Sequence, residues 1–170
     1  MPDEFFFLTF GGLGVSLAGF AGLIHALDRS PNADSPITAW RIRDVVLGGF
    51  AIALSGLSVW PGYRLTGSVE TTVRLSAAML LVFYSRLWAT QTRRGPAWPD
   101  EARRRLVRGV GSVTLVFNAV VIWLGSVGFL ELLFVVAVSQ PIGTFVRAVQ
   151  DLHGRDLVDV TGAGTDADTG

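Results

Sequence analysis

"GSVTLVFNAVVIWLGSVGFLELLFVVAVSQPIGTFVRAVQ", residues 111–150, decides how many times this chain crosses a membrane. As one helix it would run about 60 Å at 1.5 Å per residue, about twice the thickness of a bilayer core. A single span would also put Glu131 near its middle, where a carboxylate is costly. "GSVG" at 125–128 offers turn chemistry for an antiparallel hairpin and returns Glu131 to an interface. The stretch therefore reads as two helices, 105–124 and 129–150.

Three further apolar blocks precede it: 5–27, which carries no charge, then 45–63, and 69–91 with Arg74 and Arg86 near its ends. Each is long enough to span. The fold class expected is all-α, an integral membrane bundle of five transmembrane helices over residues 1–152, with four helices as the alternative. The segment 153–170 is small and polar, with Asp156, Asp159, Asp166 and Asp168. It reads as a disordered acidic tail.

Composition agrees with a membrane location. Half of the 170 residues are apolar, 16% are charged and the formal net charge is zero. All 14 basic residues are arginine, so lysine Schiff bases and a Walker-type phosphate lysine are excluded. Cysteine is absent as well, which excludes thiolate nucleophiles, Fe–S clusters and sulfur-bound zinc. No nucleophile elbow, HExxH or glycine-rich phosphate loop is present, so the expectation is no enzyme, no cofactor and no nucleic-acid partner.

Arginine placement gives the orientation. With five helices one side receives Arg29, Arg41, Arg43, the run "RRGPAWPDEARRRLVR" (93–108), Arg147 and Arg155, whereas the other receives Arg64 and Arg74. Basic loops stay cytoplasmic. The N-terminus is then outside, the C-terminus inside, in a plasma membrane. The 93–108 loop is a candidate partner for anionic lipid head groups.

Helix 1 has a small residue at every fourth position, Gly14, Ala18, Gly22 and Ala26. Such a stripe brings backbones together in lipid, either inside the bundle, against Gly49, Ala53 and Gly56, or in a homo-oligomer or with a partner membrane subunit. The stripe places His25 on the packed side near the inner end, as a candidate functional residue or an interfacial hydrogen-bonding one. His153 falls on the same side, and a two-histidine haem or metal site has no motif behind it.

Ser16, Ser55, Asn118 and Gln140 come to similar depth, with Pro141 next to Gln140. They form either a set of interhelical hydrogen bonds or a polar path at a helix break. Arg86 and Arg147 are expected to snorkel to the inner interface, and Arg74 to the outer one near Glu70 and Glu131. The candidate functional or ligand-contacting residues are accordingly His25, Asn118, Gln140 and Arg86.

The order of parts, with "GLGVSLAGFAGLIHAL" (12–27) followed by a basic loop and "FVRAVQ" (145–150) closing the last helix, resembles small multi-pass membrane proteins of unknown function in bacteria and archaea. That resemblance implies a multi-pass membrane fold and brings no activity or ligand with it. Two classes of function remain: a structural or accessory helix bundle, and a small transporter or channel using the Asn118–Gln140 layer.

Overall fold

In the computed structural model, residues 3–27, 36–94 and 101–162 are described. Every element among them is an α-helix: α1 (Glu4–Leu27), α2 (Pro36–Leu57), α3 (Val59–Thr66), α4 (Val69–Arg94), α5 (Glu101–Leu124) and α6 (Val127–Gly162). Among the described residues three stretches are long and apolar enough to cross a membrane: Glu4–Ile24, Trp40–Thr66 and Val127–Arg147. The protein is thus a helical membrane-type bundle, and the apolar part of α5, Arg108–Leu124, is shorter.

Local chemistry explains the boundaries. Pro36 opens α2 at the first helical position, where a missing N–H costs nothing. Pro61 lacks the N–H that would bond to Leu57, and α2 yields to α3 at that point. Ser58 nevertheless keeps helical angles, and the bonds Ser58 N–H to Leu54 O (3.0 Å) and Gly62 N–H to Ser58 O (2.9 Å) carry the helix through the bend. Gly67 closes α3 with a left-handed φ of 66°. Gly125, at φ 64°, does the same for α5, its N–H bonding to Val121 O at 2.9 Å.

The hairpin expected at 125–128 is tighter than its sequence suggests, because α6 already starts at Val127. α6 runs to Gly162, past the boundary expected at 153. The physical reason lies in "DLHGRDLVDV", where Leu and Val recur among the charges and Asp151 and Arg155 stand four apart, spacing that supports a helix. Residues 163–170 lie outside the described ones.

Contacts set the helices antiparallel in chain order. α1 runs against α2, α2 with α3 against α4, α4 against α5, α5 against α6, and α6 returns to lie on α2 and α1. One end of the bundle holds the start of α2, the end of α4 and the start of α5, and it is the arginine-rich end. The α3–α4 and α5–α6 turns form the opposite end.

The α1–α2 seam brings two backbones into close contact. A Cβ on Gly14 would stand 2.5 Å from Gly49 O and 2.8 Å from Ala53 N, and one on Gly49 would stand 2.6 Å from Gly14 O. Two glycines facing each other let the backbones touch, which favours Cα–H···O contacts as well as dispersion. Towards the opposite end the seam continues, a Cβ on Gly56 standing 2.9 Å from Phe7 O, and rings join it. Phe7 packs edge-on against Phe134 at 5.5 Å, and Phe10 does so at 6.1 Å, tying α1 to α6. Such pairs contribute about 0.5–1.5 kcal/mol each beyond area burial.

Candidate functional site

Among the described residues, a buried polar layer joins α4, α5 and α6, and a groove lies between α2 and α4 at the arginine-rich end.

The layer begins with Pro141. A proline inside α6 removes the N–H that would bond to Ala137 O, four residues earlier. Tyr84, on α4, donates its hydroxyl to that carbonyl at 2.6 Å. The freed acceptor of one helix is thereby satisfied by the side chain of another, as a low-dielectric interior requires. Pro141 itself is buried, and a Cβ on Gly48 of α2 would sit 3.4 Å from its ring. Gly48 thus lies against the proline of α6.

Asn118, 1% exposed, points from α5 into α4. With its amide oriented so that the nitrogen donates, it bonds to Ala77 O at 2.8 Å and accepts from Leu81 N–H at 3.1 Å. Those two groups are i, i+4 neighbours, so the amide bridges one rung of the α4 ladder. Gln140 Nε2 donates to Thr114 Oγ1 on α5 at 3.2 Å, and Thr114 in turn donates to Val110 O at 2.9 Å. Every polar side chain of this layer is committed to a protein partner.

The other two members of the expected layer are elsewhere. Ser16 is exposed and bonds back to Gly12 O of its own helix at 3.0 Å. Ser55 is fully buried on α2, and its carbonyl accepts from Ser76 of α4 at 3.0 Å and from Ser58 at 2.8 Å. Equal depth in the sequence does not imply equal azimuth, and these residues face different neighbours.

The groove has a simple geometric origin. Towards the opposite end α2 and α3 lie close on α4, through Ser76–Ser55 and through Gly62, whose Cβ would meet Thr72 at 3.4 Å. Towards the arginine-rich end the helices part, leaving a cavity of about 270 Å³. Arg43, Leu47 and Ala51 line it from α2 at spacing four, one face of a helix. From α4 come Phe83, Tyr84, Arg86, Leu87 and Thr90. A smaller pocket of about 80 Å³ shares Arg43, Leu47, Leu87 and Thr90 and adds Trp40 and Asp44. Arg43 and Arg86 are exposed, while Tyr84 is 5% exposed and closes the floor with its hydroxyl turned to α6. Asp44 and Trp40 have interactions within the fold.

Arg86, a sequence candidate, is therefore a rim residue of this groove, paired in space with Arg43. His25 lies in the last turn of α1, at the arginine-rich end, but its side chain and that of Ala26 are outside the described residues, as is that of His153. The 93–108 loop is likewise outside them at 95–100.

Within the small-residue stripe, Gly14 and Ala18 are buried against α2. Gly22 is the correction: it is exposed, and a Cβ there would meet nothing within 4 Å. Steps of four at 100° per residue rotate the stripe by 40° each time, so by Gly22 it has turned away from α2. The buried face instead alternates steps of four and three through Phe7, Gly11, Gly14, Ala18 and Ala21.

At the opposite end Arg74 pairs with Glu70 at 2.5 Å and donates to Trp123 O at 3.5 Å, covering a terminal carbonyl of α5. Arg64 lies 5.1 Å over the Trp60 ring, which stacks on Tyr63. Sequence reasoning passed over Tyr84 and Thr114. Both had a usable signal: a proline at 141 announces an orphan carbonyl at 137, and a tyrosine or threonine inside an apolar helix is a donor in search of one. No family model, curated protein or solved structure matches the chain.

Proposed function

We propose that this chain is a five-span plasma-membrane protein with the N-terminus outside and the C-terminus in the cytoplasm, acting as a structural or accessory helix bundle. The observation that carries the reading is how α4 and α5 distribute polarity. Four of their polar residues, Thr72, Ser76, Thr114 and Asn118, are at most 3% exposed, whereas Leu75, Val82, Val113, Val116 and Trp123 face outward at 53% or more. That is the reverse of a helix in water. Such an outer surface belongs in lipid, and it argues for counting α4 and α5 as spans beside the three apolar ones. The committed hydrogen bonds of the inner layer favour a rigid packed body over a conduction path.

A small transporter or channel is the alternative, and what favours it is that the α2–α4 groove reaches Tyr84, whose hydroxyl belongs to the inner layer. Purified protein reconstituted into vesicles separates the two. A structural bundle leaves proton and potassium leak at the level of protein-free vesicles. Flux above that level, lost in Tyr84→Phe or Gln140→Leu, replaces the structural reading with the transport one.

A further inference from the structure

We infer that the α2–α4 groove is a binding site for one anionic phospholipid, its phosphate held between Arg43 and Arg86 and one acyl chain lying along Leu47, Ala51, Phe83 and Leu87. The inference rests on the membrane-spanning reading above and assigns it a ligand.

Three observations combine. The rim carries two guanidinium groups from two helices, and neither Arg43 nor Arg86 has a hydrogen bond or ion pair among the described residues. Guanidinium is the side chain that grips phosphate through paired N–H donors. Below the rim the lining is almost wholly apolar, and it continues onto Ala51, one turn deeper on α2. Charge at the mouth and hydrocarbon beneath match a molecule built the same way.

Size argues for a lipid chain over an enclosed solute. The cavity, about 270 Å³, falls below the range of about 300–1,000 Å³ in which pockets bury most of a small molecule. A ligand here is held along one side and exposed along the other. An acyl chain against a helix surface is content with that arrangement, because its free side meets other lipid. Two exposed guanidinium groups at the mouth suit a phosphate diester, of which phosphatidylglycerol is the simplest anionic example. Basic pockets between spans are a recurrent way to retain anionic lipid.

Native mass spectrometry of the full chain in detergent, offered equal amounts of phosphatidylglycerol and phosphatidylcholine, tests the inference. One phosphatidylglycerol should be retained in preference to phosphatidylcholine, by about tenfold or more, equivalent to about 1.4 kcal/mol. The double variant Arg43→Gln, Arg86→Gln should lose the preference, while Arg64→Gln at the opposite end should keep it. Leu47→Trp, which fills the groove and leaves both arginines, should also release the lipid. Equal retention of both lipids by the parent, or an undiminished preference in either groove variant, overturns the site. Displacement by inorganic phosphate alone overturns it too, since a phosphate site would have no need of the chain. Resistance to alkaline extraction from membranes is read on the same samples. Protein that extracts like a peripheral one sinks the spanning reading, whereas firmly embedded protein without lipid preference sinks only the groove.

Discussion

At position 141 a proline in mid-helix leaves one carbonyl without its donor, and the fold answers with one hydroxyl from a different helix. The value of that answer is measurable because the two residues form a closed thermodynamic pair. Tyr84→Phe removes the donor and should lower stability by about 1 kcal/mol, within the range of about 0.6–2 kcal/mol for interhelical bonds in membranes. Pro141→Ala restores an N–H to the Ala137 carbonyl. In that background Tyr84→Phe should cost about half as much or less, and equal costs in a double-mutant cycle of unfolding in micelles would mean that Tyr84 acts through packing alone. Asn118 predicts the opposite economy. Its partners, Ala77 O and Leu81 N–H, are each other's natural partners in an α-helix, so they re-pair when the amide is gone. Asn118→Val, apolar and of similar size, should therefore destabilise less than Tyr84→Phe in the same assay.

Among elements, the α1–α2 seam makes the sharpest demand on side-chain size. Gly14→Ala places a methyl 2.5 Å from backbone oxygen, which no rotamer relieves, so the helices must separate at a cost of about 1–3 kcal/mol. Gly22→Ala meets open space and gains helix propensity, up to about 1 kcal/mol. Melting temperatures in detergent should thus fall for the first and hold or rise for the second. A fall for both would put Gly22 in an interface with another copy or subunit. The same pair of glycines shows how far the sequence could be read. Helix positions were legible from apolar and half-apolar blocks between turn residues, and the hairpin at Gly125 followed from the length of residues 111–150, the place of Glu131 and the turn residues of 125–128. A stripe of small residues was legible as a contact, but its register was not, because a period of four and a pitch of 3.6 part company over two turns. The groove was illegible. Arg43–Leu47–Ala51 is an ordinary face of a helix until α4 is seen to lean away from it, and that divergence is set by Ser55, Ser76 and Gly62 one to three turns farther along.

For the molecule as a whole, the distribution of charge decides what lies on each side of the membrane, and the absence of cysteine makes the question easy to ask. Leu65 lies near the α3–α4 turn, 87% exposed, and Gly128 opens α6 with free space around it, both at the opposite end of the bundle. Arg105 and Gln150 are exposed at the arginine-rich end. Because no native thiol competes, single cysteines at these four positions can be labelled with a membrane-impermeant maleimide in intact cells. Basic segments are held in the cytoplasm during insertion, so Leu65→Cys and Gly128→Cys should react before lysis, and Arg105→Cys and Gln150→Cys after it. The five-span threading requires that grouping, since α4 and α5 must both cross for 65 and 128 to share a side opposite to 105. If 65 and 105 react together, α4 does not cross; if 105 and 128 do, α5 does not. In either case the polar residues buried between those helices would need water, not lipid, to explain their orientation. The labelling pattern therefore tests the inside-out polarity of α4 and α5, on which the membrane reading of the whole bundle depends.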